Sequence, residues 1–131
     1  MPAQSVAPSE RLIRAALWSA VALNASGTAL FGAHAVGVDT GLLPVTAPRY
    51  YMAMLAWTVA LFGALYVWLL RQPAIDRRFV TLAGAGKLGF FLVAVLYGVL
   101  GEIPARAVLN MLPDGVLGTL FLWWAARAQT A

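Results

Sequence analysis

The sequence predicts an all-α integral membrane protein, with four transmembrane helices in an up-down-up-down bundle. Three observations lead there. Hydrophobic residues make up 62% of the 131 positions and charged residues only 11%; soluble domains hold roughly 45–50% and 25%, and a soluble chain this short has no core large enough to hide the excess. The apolar residues fall in four runs of about twenty, the length a helix needs to cross a bilayer. The basic residues stand at the ends of those runs, as the positive-inside rule expects. Four such runs cannot close into a barrel, so every span is helical.

The elements follow in order within one domain spanning 1–131. Residues 1–10 are small, polar and proline-containing and read as a flexible tail. Arg11 and Arg14 introduce the first span, 12–36, which is interrupted by Asn24, Ser26, Gly27 and Thr28. An alternative reading makes this stretch a cleaved signal peptide, with Ala33-His34-Ala35 as the A-x-A site; the run is long for such a segment and its polar break falls in the middle, which favours a retained helix. Two glycines, two prolines and Asp39 make 37–49 a loop. The second span, 50–70, carries no charge; Tyr50 and Tyr51 at one end and Tyr66 and Trp68 near the other fit aromatic belts. Pro73 stops this helix and Asp76 is placed to cap the third span, 79–100. Gly101-Glu102-Ile103-Pro104 is a tight turn, and the fourth span, 105–126, contains Pro113 and reaches Trp123 and Trp124 before a short tail. Trp18 and Trp57 read as belt or packing residues.

Arg11, Arg14, Arg71, Arg77, Arg78 and Arg127 lie on one side, and Arg49 and Arg106 on the other. Six against two places both termini in the cytoplasm and opposes a dual-topology protein. Short connections between successive spans make neighbours antiparallel.

Three polar side chains fall near the middle of their spans: Asn24, Lys87 and Asp114. A lone lysine or aspartate at the bilayer centre costs roughly 2.5–3.5 kcal/mol, so the economical arrangement has Lys87 facing Asp114 inside the bundle with Asn24 alongside. Such a group is either a working site for an ion or polar ligand or a pair that fixes which helix packs where. The segment Gly84-Ala85-Gly86-Lys87-Leu88-Gly89 is not a phosphate loop, because the glycine spacing is wrong and Leu88 stands where a Ser or Thr is needed. Small residues there read instead as sites of close helix approach: Ala85, Gly86 and Gly89 on the third span, Gly115 and Gly118 on the fourth. His34 and Glu102 share one side of the membrane and form a weaker outer-side candidate site.

Several chemistries are excluded. With no cysteine there are no disulfides, zinc-thiolate sites or thiol nucleophiles, and one histidine cannot build a multi-histidine metal or haem site. Ser19, Ser26 and Thr28 have no histidine at matching depth, so no nucleophile–base set is visible. The net charge of +4 is scattered with no basic stripe, which speaks against nucleic-acid binding. No cofactor and no metal is expected from the chain itself.

Arg71-Gln72-Pro73, Gly86-Lys87, the 101–104 turn and Asp114 give the stretch from Tyr50 to Ala126 a likeness to known proteins, and Asn24 followed by Gly27 is a similar feature of the first span. The stretch resembles uncharacterised small bacterial four-helix integral membrane proteins, broadly DoxX-like. That resemblance implies a bacterial inner membrane and supplies no activity. In length the chain is also similar to small multidrug transporters, but their membrane-embedded first-helix glutamate is replaced by Asn24. The leading expectation is therefore a non-enzymatic accessory protein that binds the bilayer and another membrane protein or a second copy of itself. The alternatives are a small-molecule or ion transporter or binder using Lys87 and Asp114, and an accessory subunit of a redox or membrane enzyme that borrows its cofactor from another chain.

Overall fold

The computed structural model describes residues 8–127, and these are helical apart from the connections. The elements are α1 (Pro8–Ala35), α2 (Arg49–Leu70), α3 (Arg77–Val99), α4 (Ala105–Asn110) and α5 (Leu112–Arg127). Among the described residues, four helical stretches are long and apolar enough to cross a membrane: α1, α2, α3, and α4 with α5 taken together.

The ends of the helices follow local chemistry. The helix α1 starts at Pro8, so residues 8–10 are its first turn; the rest of the expected flexible tail, like the end of the chain after Arg127, lies outside the described residues. Proline suits a first helical turn because its missing N–H has no partner to lose there, and Glu10 accepts from Arg14 at 2.8 and 3.0 Å one turn later. The helix ends at Gly37, whose φ of 93° lets its N–H reach the His34 carbonyl and the Val38 N–H reach Ala33. The same closing motif recurs at the end of α3, where Gly101 (φ 75°) donates to Gly98 and Glu102 to Tyr97. Asp76 accepts from the Arg78 amide at 2.8 Å and starts α3 at Arg77, two residues earlier than the apolar run alone suggests.

The fourth span is not one helix. Its path breaks at Met111, just before Pro113. Proline has no N–H to give the Leu109 carbonyl, and its ring crowds that carbonyl. The chain tightens instead, with Met111 N–H donating to Val108 and Asp114 N–H to Met111, each three residues back. The break restarts the helix so that Asp114 falls in the first turn of α5.

The helices pack as two pairs. Along α1 and α2, Arg14 meets Leu70, Asn24 meets Gly63 and Val59, and Gly27 meets Val59; the contacts run in opposite senses along the two helices. Arg14 closes this pair by donating to the carbonyls of Leu70 (2.9 Å), Gln72 (3.0 Å) and Pro73 (3.2 Å), which satisfies oxygens that the end of α2 leaves without helical partners. Along α3 and α5 the close residues are Gly84 with Gly118, Phe121 and Leu122, and Gly115 with Phe91. The pairs meet where α1 touches α5, whereas α2 and α3 have no Cα atoms within 8 Å of each other. A continuous core of Ile13, Leu17, Ala20, Tyr66, Leu69, Val80, Ala83, Phe121 and Ala125 fills one end of the bundle. There Trp68 and Phe79 also meet edge to face, 5.4 Å apart.

Two expectations are corrected here. The close approach on α3 is made by Gly84 and not by Ala85, Gly86 or Gly89: Ala85 is exposed, and a methyl group on Gly86 or Gly89 would meet nothing within 4 Å. One residue along a helix turns the side chain by about 100°, enough to move from the α5 face to another. Tyr66 is not a belt residue; it is 2% exposed, with its ring edge-on to Phe121. On α5, by contrast, a methyl group on Gly118 would lie 2.5 Å from the Leu88 amide nitrogen and 2.9 Å from the Gly84 carbonyl oxygen, both backbone atoms that cannot step aside.

Gly118→Ala therefore destabilises the fold by about 1–3 kcal/mol, the usual cost of overpacking. Gly89→Ala leaves stability unchanged or raises it by up to about 1 kcal/mol, because alanine is the better helix former. Thermal unfolding of both variants in one detergent checks this, and equal melting temperatures would contradict the packing described.

Candidate functional site

Lys87, halfway along α3, is 5% exposed. Its Nζ donates to Asp114 Oδ1 on α5 at 2.5 Å and to Asn24 Oδ1 on α1 at 3.2 Å. The Tyr66 ring on α2 lies 5.5 Å from the same nitrogen, within cation–π range. The three polar side chains singled out in the sequence are thus brought together, and a fourth group, Tyr66, joins them.

Each position is prepared by its own helix. Asn24 is held by donating its Nδ2 to the Val59 carbonyl at 3.0 Å. That carbonyl has a second lone pair to offer beyond its helical bond, and α1 approaches it over Gly63, where a methyl group would already touch Asn24 Cβ at 3.4 Å. Asp114 owes its position to the break at Met111, because a carboxylate in the first turn of α5 meets the positive end of the helix dipole. The Gly84–Gly118 contact draws α3 and α5 close enough for a short lysine–aspartate bond.

The cluster is not sealed inside the packed core. It lies on the wall of a cavity of about 530 Å³ that is otherwise mostly apolar, within the usual size range for small-molecule sites. The cavity runs between α1, α2, α3 and the α4–α5 break. Leu42, Leu43, Pro44 and Val45 of the α1–α2 loop line it, as does Ile103 of the 101–104 turn. The α1–α2 loop is itself shaped by an Asx turn, with Gly41 N–H donating to Asp39 Oδ1 at 2.9 Å. The cavity opens because α2 and α3 stand apart. The dry core and the cavity thus divide the bundle, with Tyr66 and Ala83 belonging to both.

Two polar valences of the cluster are unfilled by protein. An ammonium carries three donors, and oxygens take two of those on Lys87. Asp114 Oδ2 accepts from no described residue, and since no fully occluded side-chain oxygen or nitrogen is left without a partner, that oxygen is open to a probe. Asn110, one turn before Asp114, lines the same cavity. Sequence reasoning missed Asn110, although its spacing of four residues from Asp114 is the signal that finds it. Tyr66 was missed because a tyrosine near the end of an apolar run looks like a belt residue.

His34 and Glu102 are not brought into a site. His34 sits half-buried in the last turn of α1 and Glu102 is exposed in the turn after α3; neither side chain makes a hydrogen bond or ion pair among the described residues. No group of three or more His, Cys, Asp or Glu residues able to hold a metal ion is found among the described residues. Compared with known proteins, the chain matches no family model, no curated protein and no solved structure.

The ion pair sets a testable energetic pattern. Removing one partner strands a buried charge, so Lys87→Met and Asp114→Leu each lower stability by about 3 kcal/mol. The double variant Lys87→Met/Asp114→Leu recovers most of that loss, because an apolar pair of similar volume leaves no uncompensated charge. Thermal unfolding of the four proteins in detergent reads the coupling directly; a double variant no more stable than the worse single would show that the two charges do not depend on each other.

Proposed function

We propose that this chain is a multi-pass protein of a bacterial inner membrane that binds a small amphiphilic molecule in its intramembrane cavity, with the polar end of that molecule on the Lys87–Asp114–Asn24 cluster. In this reading the four spans run up-down-up-down with both termini in the cytoplasm. The arginine bias supports the orientation, and the resemblance to small DoxX-like bacterial proteins supports the membrane. The single observation that carries the binding reading is that a lysine–aspartate pair in the middle of four apolar helices lines an open cavity instead of being closed over by side chains. A pair serving only to register the helices gains from being sealed, since packing would exclude every competing partner. Asn24 is a member of the cluster, and Ile13, Leu17 and Ala20 are in the core, so this reading requires a retained first helix rather than a cleaved signal peptide. The reading assigns no reaction and calls for no cofactor.

Gly86 offers the cleanest test, since it lines the cavity with nothing within 4 Å of where a side chain would begin. Gly86→Leu places a bulky side chain into the space beside the cluster without disturbing the α3–α5 contact. Mass spectrometry of solvent extracts from purified protein is expected to show an amphiphile bound to the wild type and reduced at least tenfold in Gly86→Leu, at equal melting temperature. Identical extracts from the two proteins would refute the reading.

A second reading, an accessory role through binding a copy of the chain or another membrane protein, is favoured by one observation. Ala85 is exposed and Gly89, one turn on, has nothing within 4 Å of where its side chain would start, leaving a small-xxx-small step on α3 unoccupied within the chain. Because the chain has no cysteine, Ala85→Cys reports on this cleanly. Oxidation in membranes gives a disulfide-linked dimer if two copies pair there; a purely monomeric product excludes self-association at that face.

A further inference from the structure

The unfilled valences of the cluster specify the head group that the cavity accepts. Lys87 and Asp114 form a balanced pair, joined at 2.5 Å, with side chains 6% and 18% exposed. Bringing a net charge of either sign against that pair leaves one charge uncompensated in apolar surroundings, which is costly. The ligand head is therefore neutral. What the pair offers is one remaining N–H on Lys87, answered within the chain only by the Tyr66 ring at 5.5 Å, and one open acceptor, Asp114 Oδ2. A head group that fills both must donate one hydrogen bond and accept one. A hydroxyl is the smallest group that does so. An ether or ester has no donor, a carboxylate has no donor and carries charge, and a quaternary ammonium has neither valence.

The rest of the cavity describes the remainder of the molecule. Leu23, Leu30, Phe31, Leu55, Phe62 and Phe90 line it, a surface suited to hydrocarbon. The separation of α2 from α3 leaves only side chains between the cavity and the outside of the bundle on that flank, so an apolar chain reaches the cluster sideways from the lipid phase. At the core end, Trp68 against Phe79 closes the same seam.

We infer that the cavity binds a neutral lipid alcohol taken laterally from the bilayer, its hydroxyl donating to Asp114 Oδ2 and accepting from Lys87 Nζ. This rests on the binding reading above and names the ligand class for that site.

The test uses the full chain in phosphatidylcholine vesicles and four alkyl probes of matched length, each with a diazirine at its far end. The heads are a free hydroxyl, its methyl ether, a carboxylate and a trimethylammonium. After irradiation, mass spectrometry of digests locates the labelled residues. The expected result is that the alcohol labels cavity-lining residues of α1, α2 and the α1–α2 loop at least about tenfold more than each of the others, a ratio equal to about one net hydrogen bond. The preference should vanish in Lys87→Met/Asp114→Leu. The wild-type comparison decides the matter alone, should the double variant not be recovered folded. If all four probes label the cavity equally, or a charged head labels it best, and Gly86→Leu abolishes the labelling, the head-group inference is overturned while the binding reading stands. If no probe labels the cavity, or Gly86→Leu labels as the wild type does, both are overturned.

Discussion

One buried ammonium organises this molecule. Lys87 is carried on a helix with no other charge between Arg78 and Glu102, and an unpaired charge in such surroundings costs several kcal/mol. Its partners come from three other helices: the carboxylate of Asp114 on α5, the carboxamide of Asn24 on α1, and the ring of Tyr66 on α2. The backbone contacts alone make two helix pairs, α1 with α2 and α3 with α5, touching along α1 and α5. Lys87 is the polar link between them. Several separate features serve that link. Pro113 breaks the fourth span so that Asp114 opens a helix, Gly84 and Gly118 let α3 and α5 nearly touch, and Gly63 lets Asn24 reach the Val59 carbonyl. Helices that are apolar on all faces have no amphipathic stripe to set their register, so a directional contact of this kind favours one alignment.

The parts of this arrangement that were legible in the sequence are those encoded by position along the chain. Four apolar runs gave the helical stretches, the glycines at 37 and 101 and the aspartate at 76 marked ends, and three polar residues near the centres of their runs pointed to one cluster. What stayed hidden is what depends on rotation about a helix axis. A soluble helix shows its inner face by polarity. Helices that are apolar all round do not, so nothing in the residue types distinguishes Gly84, packed against Gly118, from Ala85, which is exposed. Tyr66 was misplaced for the same reason. Arg14 is a different case: it reads as a flanking charge, and its three carbonyl partners lie 56–59 residues away, a distance no local pattern spans. Pro113 was visible, but whether a proline kinks or interrupts a helix depends on what satisfies the freed carbonyl nearby.

The cavity follows from the same geometry that makes the link. Two tightly packed pairs joined along one seam leave the opposite seam open unless side chains fill it. Near the 71–76 connection they do, through Trp68, Phe79 and the core around Phe121. Toward the other end Gly86 and Ala94 on α3 and Thr58 on α2 leave room in the seam between the larger Leu55, Phe62 and Phe90. A leucine at Gly86 would have narrowed it at no cost to the α3–α5 contact, and the sequence does not place one there.

In the membrane-spanning reading proposed above, magnitudes argue that this space is occupied. An enclosed void costs about 24 cal/mol per Å³ in mutational series. The cavity of about 530 Å³ is partly open, so that cost applies only to the part of its apolar wall left uncovered. Water alone is a poor occupant, because each molecule needs two to four polar partners and the polar groups here are gathered at one cluster on an otherwise apolar wall. Hydrocarbon alone leaves the third N–H of Lys87 and the free oxygen of Asp114 facing an apolar chain, a loss of about 1–3 kcal/mol for each group. The occupant that satisfies both the volume and the valences is apolar for most of its length and polar at one end. In the binding reading proposed above, the volume and the open valences of the ion pair point to the same kind of molecule.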